Sequence, residues 1–320
     1  MKLTQLLQVL QKEKINTWFD LGLFIDRVRE ERDEFTDVKK HGHKPFPRTI
    51  QTSSFAGFKK RLASSSMGFI TYHYSIDGVT VEIQKYAQSL KMVFPNIDIH
   101  YISGEVLPEA QDFIEPGSSI GTIKELNGFD NWALYSDFFF TDMERGSKAY
   151  NELITSYWEN VIQIVEKLGD YIENNNIQLL YLVNVCSNPG NVALSLAAVL
   201  ISEFMRIPVI NNNHDFYWEG GNKKTDIKSK GLRKGPRDFF FRNAHLGEFF
   251  SLIEMLFPWS SPSWINVNIN KNQTDHLINI NGHNPASVRE IGTAVDTRNY
   301  STLTKRSKIK AFIQVQAILS

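Results

Sequence analysis

Apolar positions recur along this chain with two different periods, and the change of period divides it. Leu3, Leu6, Leu7 and Leu10 fall on one face of a helix, and Trp18, Leu21, Ile25 and Val28 fall on another, so residues 1–35 are predicted helical. The charged run from Arg27 to Glu34 reads as the solvated side of that helix. Residues 36–60 are polar, contain Pro45 and Pro47, and read as an irregular connector. His41 and His43 lie there without a third ligand nearby, so no metal site is predicted.

From Met67 onward strands and helices alternate. Met67 to Tyr74 is an apolar-aromatic strand that breaks at Asp77-Gly78, and Val79, Ile83, Tyr86, Ala87 and Leu90 follow at helical spacing. Ile97 to Ile102 reads as the next strand, 104–145 as an irregular region, and 147–173 as a long amphipathic helix carrying Leu153, Tyr157, Val161, Val165 and Leu168. Ile177 to Val185 is a buried strand, Cys186 to Asn191 a turn, Val192 to Met205 a helix and Ile207 to Asn212 a strand. A crossover of this kind requires parallel strands with helices packed on the sheet. The helix Leu246 to Phe257, strand Trp264 to Asn268, helix Asn272 to Asn281 and strand Val288 to Ile291 continue the alternation. The predicted class is α/β, a doubly wound parallel sheet. Three segments follow: a helical extension over 1–65, the Rossmann-like unit over 66–297, and a short stretch over 298–320.

Composition narrows the partners. The 35 basic and 35 acidic residues cancel, which argues against nucleic acid as the main ligand. A hydrophobic share of 42% is ample for a large core. The single cysteine, Cys186, excludes an internal disulfide framework and fits a reducing compartment. The first residues lack the apolar stretch and small-residue cleavage site of a signal peptide, and no apolar run reaches about 18 residues. The expectation is a cytoplasmic protein without a transmembrane segment.

Ligands of an open parallel sheet sit beyond the carboxyl ends of its strands, at helix N-termini. Three segments land there. Ser75, Asp77, Gly78 and Val79 open the first helix of the sheet, where a glycine able to take positive φ would let an anion approach the backbone. Asn184 to Asn191 follows the central strand, with Ser187 or Asn188 as helix cap and Asn188 as a binding candidate. Asn211 to Gly221 gathers His214, Asp215, Tyr217, Trp218 and Glu219, the aromatic faces and polar edges that a sugar requires. His214 is the candidate catalytic group. Cys186 reads as a buried small hydrophobe rather than a nucleophile.

Absent motifs narrow the class further. There is no G-x-G, no G-K-[ST], and no pair of aspartates two residues apart, which removes dinucleotide, Walker A and Asp-x-Asp metal chemistry. Gly117-Ser118-Ser119-Ile120-Gly121 matches the G-x-S-x-G nucleophile elbow, leaving a serine hydrolase as one alternative. That motif needs a buried strand before it and a helix after it, and this one sits in the irregular region. Glu144 and Glu152 have E-x7-E spacing but read as surface positions of the long helix.

Phe69-Ile70-Thr71-Tyr72-His73 with Ser75 to Glu82, Arg206 to Ile210 running into His214-Asp215, and Val288 to Asp296 occur in the order of three motifs of family 4 glycosyltransferases. The chain resembles the N-terminal, acceptor-side domain of that family over about 66–300. The resemblance implies a GT-B fold and retaining transfer of a sugar from a nucleotide-sugar co-substrate, with no other cofactor. It also implies that the glycine loop lies near the donor phosphates and that His214 meets the donor sugar. The chain departs from the family in its single loop glycine, in Asn213, and in its 65-residue extension. Only 24 residues follow Asp296, none acidic, so the nucleotide-sugar domain is expected to lie elsewhere and this portion alone to be inactive. A non-catalytic sugar- or anion-binding module is the other alternative. The segment 222–242 carries eight basic and two acidic residues, with Arg233 and Arg237 as candidates to hold a sugar-phosphate acceptor.

Overall fold

The computed structural model describes residues 1–36, 54–219 and 246–293. Its frame is a seven-stranded, all-parallel sheet. The strands are β1 (Ser66–Ile70), β3 (Asp98–Ser103), β5 (Ser119–Thr122), β6 (Ile177–Val183), β7 (Val209–Asn213), β8 (Trp264–Asn268) and β9 (Val288–Glu290). Their order is β5-β3-β1-β6-β7-β8-β9. Two short strands, β2 (His73–Tyr74) and β4 (Glu105–Val106), pair outside the main sheet. The chain steps one way from β1 to β5 and the other way from β6 to β9. The switch point, where such sheets bind ligands, is therefore between β1 and β6.

Right-handed crossovers then decide which helix covers which face. Helix α4 (Gly78–Val93) follows β1 and covers one face, packing Ile83 and Ala87 on Met67, Phe69, Tyr101, Tyr181 and Val183. The other face takes α6 (Lys148–Asn174), α7 (Val192–Met205) and α8 (Gly247–Leu256), with α9 (Lys271–Asn279) toward the β9 edge. Helix α7 is buried nearly all round, as an apolar helix without a polar stripe must be. The doubly wound α/β class predicted from the sequence is the one found.

The extension forms α1 (Leu3–Lys12) and α2 (Trp18–Thr36). Leu6, Leu10, Trp18, Leu21, Phe24 and Ile25 are buried in the same core as α6, α7 and α8, so these helices thicken that layer. Three local expectations need correction. Residues 55–60, read as the end of the connector, lie in α3 (Phe55–Leu62). The region 104–145 contains the edge strand β5 and a short helix, α5 (Tyr135–Phe139). Asn213, expected to lie just past the strand Ile207 to Asn212, is the last residue of β7.

Asn211 and Asn213 are tolerated because their amides bond across the ladder, although Asn211 Oδ1 is left without a partner among the described residues. Asn211 Nδ2 donates to Asn266 Oδ1 at 2.9 Å and to Asn213 Oδ1 at 2.8 Å, and Asn213 Nδ2 donates to Asn268 Oδ1 at 3.0 Å. Asn268 Nδ2 passes the chain on to Thr274 Oγ1 at 3.3 Å. Paired amides avoid most of the cost of an unmade buried hydrogen bond.

Candidate functional site

The crevice at the switch point is filled by the protein itself. Tyr72, just past β1, reaches across to the loop after β6, where its hydroxyl donates to Asn188 O at 2.7 Å and accepts from Gly190 N at 3.1 Å. Its ring lies so close to that loop that a Cβ on Gly190 would stand 2.7 Å from Tyr72 Cε2. Gly128 is equally tight, with Tyr72 Cγ at 2.6 Å from its Cβ position. Burial pushes the Tyr72 phenol far above its ordinary pKa, so it stays a neutral strut. A ligand at the carboxyl edge is thereby directed to either side of Tyr72.

On one side lies the first turn of α4. Asp77 caps the helix, accepting from Thr80 N at 2.8 Å and from Ser75 Oγ at 2.7 Å. His73 Nε2 stands 3.5 Å from Asp77 Oδ2. Burial alone would raise the Asp77 pKa, but the hydrogen bonds from His73, Thr80 and Ser75 outweigh it and hold the carboxyl well below the usual range. The bond to Asp77 correspondingly raises His73, helped by Glu105, its partner across β2 and β4. Ser75 and Asp77 thus do structural work here, and the half-exposed His73 is the group they orient. Gly78 does not adopt positive φ as expected; it begins the helix normally. Its surroundings are open, with nothing within 4 Å of a Cβ placed there, and Val79 beside it is half-buried.

On the other side is the turn after β7, and Asn184 builds it. Asn184 takes the left-handed conformation, φ 59°, which asparagine adopts more readily than most residues. Its Oδ1 accepts from the backbone N–H groups of His214 at 2.8 Å and Asp215 at 3.2 Å, tying the β6 loop to the β7 loop. Gln273 Nε2 donates to His214 O at 2.9 Å from α9. The backbone of His214 is thus held from two other elements, the loop after β6 and α9. Burial lowers its pKa despite the nearby carboxylates of Glu82 and Asp215, so the imidazole is neutral at physiological pH. Its Nε2 is buried without a hydrogen-bond partner among the described residues.

The remaining predicted residues divide. Trp218 offers no free face for a sugar: its ring stacks on Phe216 at 3.9 Å and on His276 at 4.1 Å. Tyr217 is buried. Glu219 Oε2 closes the same corner, accepting from Phe216 N and Gln273 Nε2, both at 2.9 Å. The aromatic–acidic cluster is therefore a packed corner that fixes His214 rather than a stacking platform. Asn188 does not cap α7; Asn191 does, accepting from Leu194 N at 2.9 Å. Asn188 lies on the Tyr72 side, with a buried, unpartnered Oδ1. Arg233 and Arg237 lie outside the described residues, as do His41 and His43. Ser119 opens edge strand β5 instead of turning from a strand into a helix, so the nucleophile elbow is not formed. Cys186 is fully buried, and burial pushes its thiol pKa up, which suits a packing role.

His73 was not singled out by the sequence reading, and Asn184 was named only as the first residue of its segment. The only sequence signals were a histidine four residues before an aspartate and an asparagine directly after a strand. Among the described residues no cluster of three metal-ligating side chains occurs, and no helix is long and apolar enough to cross a membrane.

The sequence matches no protein-family model and no curated protein. Among solved structures, it is similar to a sucrose-phosphate synthase from Thermosynechococcus elongatus, with 11% identity and a TM-score of 0.41 over 75% of this chain and 53% of that one. MurG of Acinetobacter baumannii gives 10% identity and a TM-score of 0.33 over 71% and 45%. A UGT transferase from Siraitia grosvenorii in complex with UDP gives 9% and 0.37 over 74% and 53%. The chain spans about half the length of these proteins. Likenesses this loose assign neither family nor reaction, and the functional reading rests on the site.

Proposed function

We propose that this chain is the acceptor-side half of a two-domain glycosyltransferase, with the donor-side groups supplied by a second domain of the whole protein. The observation that carries the reading is His214, whose backbone is held by Asn184 and Gln273 at the carboxyl edge of the sheet and whose buried imidazole has its pKa lowered, with the open first turn of α4 on the same edge. In that role His214 would meet the donor sugar, and its neutral ring would donate or accept a hydrogen bond without charge repulsion as positive charge develops at the anomeric carbon. The positive end of α4 favours the donor's phosphates, and His73, when protonated, offsets the charge of Asp77 there.

Leaving-group stabilisation from the second domain and positioning from this one would together supply catalysis. Family 4 chemistry retains configuration. The His73–Asp77 pair favours a second reading, in which His73, oriented by the carboxylate, takes the proton of an acceptor hydroxyl and the anomeric configuration inverts. The configuration of the product, read by NMR, separates the two.

The test is transfer from a panel of nucleotide sugars, followed by mass spectrometry, in the protein joined to its donor-side domain. His214→Ala is expected to lower kcat at least tenfold with little change in acceptor KM. An unchanged kcat in a folded variant removes His214 from the reaction centre. Efficient transfer by these 320 residues alone overturns the half-enzyme reading.

A further inference from the structure

The helical extension carries a surface that neither the core nor the candidate site uses. Helix α2 turns Trp18, Leu21, Phe24 and Ile25 into the core. It also bears Phe19, 72% exposed, and Leu23, 49% exposed, one turn apart and therefore neighbours on the helix surface. Both line a groove of about 420 Å³ between α2 and α8, to which α8 contributes Leu252 and Met255. The charged groups along it are Asp26 and the ion-paired Arg145 and Glu248. Large apolar side chains left in water beside an unfilled apolar groove mark an interaction surface.

Two glycines in the groove wall point the same way. Gly22 lies inside α2, where glycine weakens a helix relative to alanine. It does not take positive φ, and a Cβ placed on it meets nothing within 4 Å. Gly247, at the start of α8, is equally open. Fitting this chain to itself therefore does not require glycine at either position, whereas close approach of another backbone does.

The occupant that fits brings a large apolar side chain, a backbone able to lie against Gly22, and charges of both signs. Asp26 and Arg145 await such charges, with side chains 61% and 72% exposed. This surface itself supplies all three. Phe19 is a knob beside its own hole, and Asp26 and Arg145 complement each other when the surface meets its copy about a two-fold axis. An apolar centre with a charged rim is the usual anatomy of an interface. The second domain invoked above would complete the site at the carboxyl edge of the sheet, and none of the site residues described there lines this groove.

We propose that the chain forms a two-fold dimer in which α2 crosses its counterpart at Gly22, with Phe19 and Leu23 of each protomer seated in the groove of the other. The inference is independent of the glycosyltransferase reading.

The test is sedimentation equilibrium of the full 320-residue chain. A modest interface of this kind is expected to associate in roughly the micromolar range, so concentrations up to about 500 µM are covered. Phe19→Glu and Leu23→Lys should each weaken association about tenfold or more, as loss of a seated anchor does. Their circular dichroism and melting temperature, measured at dilutions where the chain is monomeric, should match wild type, because both side chains are exposed. Gly22→Ala should raise the melting temperature of the monomer while weakening the dimer, a division that a role within the helix alone would not produce. Leu23→Cys should be linked to its copy by a short bismaleimide, since Cys186 is buried and does not compete. A chain that stays monomeric throughout overturns the proposal, whatever else binds in the groove. So does a dimer indifferent to Phe19→Glu and Leu23→Lys, or one in which Leu23→Cys is not linked.

Discussion

Asn184 is the residue whose loss should most clearly separate the architecture of the site from its chemistry. Its Oδ1 receives the N–H groups of His214 and Asp215 at 2.8 and 3.2 Å and the hydroxyl of Ser187 at 3.3 Å. The residue is 7% exposed. Asn184→Gly keeps the backbone at φ 59° without strain but strands those donors. Stranding a buried donor costs about 1–3 kcal/mol. The two backbone donors are only part-buried, so the sum should be about 2–4 kcal/mol, or a fall of roughly 5–10 °C in melting temperature. Asn184→Ala should cost about 1–2 kcal/mol more, because Cβ disfavours the left-handed conformation. Urea and thermal unfolding give the stabilities, and the imidazole NMR signals of His214 report whether its surroundings change. The glycine variant should show both destabilisation and a His214 signal shifted toward that of a solvated ring. A glycine variant within about 0.5 kcal/mol of wild type, the limit for a neutral surface change, would refute the idea that this one oxygen holds the turn.

Trp218→Leu should lose about 2–4 kcal/mol, since both faces of the indole are packed; thermal unfolding within about 0.5 kcal/mol of wild type would show that this stacked corner carries no stability. Gly190→Ala should cost about 1–3 kcal/mol by pressing a methyl group onto Tyr72, and less in a Tyr72→Leu background. Additive losses in that double-mutant cycle would rule out the close approach as the cause. Burial pushes His283 down to about 4. Its folded value lies below the ordinary 6.5, so its contribution is present above pH 6.5 and lost as pH falls toward 4. An NMR titration placing His283 near 6.5 would contradict this. His73 runs the other way: its raised value means the Asp77 pair contributes below pH 6.5 and fades as pH rises through the folded value, by a small amount given its exposure. Stability of His73→Gln relative to wild type, followed across pH 5–9, measures that fade.

Periodicity alone determined the architecture, because strand and helix impose different repeats on the apolar positions and short crossovers admit one handedness. The helices near 78, 148, 192, 247 and 271 and most of the strands lie within a few residues of where the pattern puts them. β5 was missed because its four residues, Ser119 to Thr122, sit on a sheet edge and mix polar with apolar positions. The strand at β7 was read to Asn212, and only its pairing with β8, which sets Asn213 opposite Asn268, carries it one residue further. The same dependence on distant partners decided the site. His214 was singled out by its place after a strand, but the residue that anchors its backbone, Asn184, comes from another strand's loop. The stacking face of Trp218 was lost to Phe216 and to His276 on α9. Tyr72, read as part of a strand, became the strut that fills the crevice, because only the folded sheet brings Gly128 and Gly190 against its ring. Local sequence specifies which element a residue joins; contacts from elements far away in the chain determine whether its polar atoms face a ligand or another part of the protein.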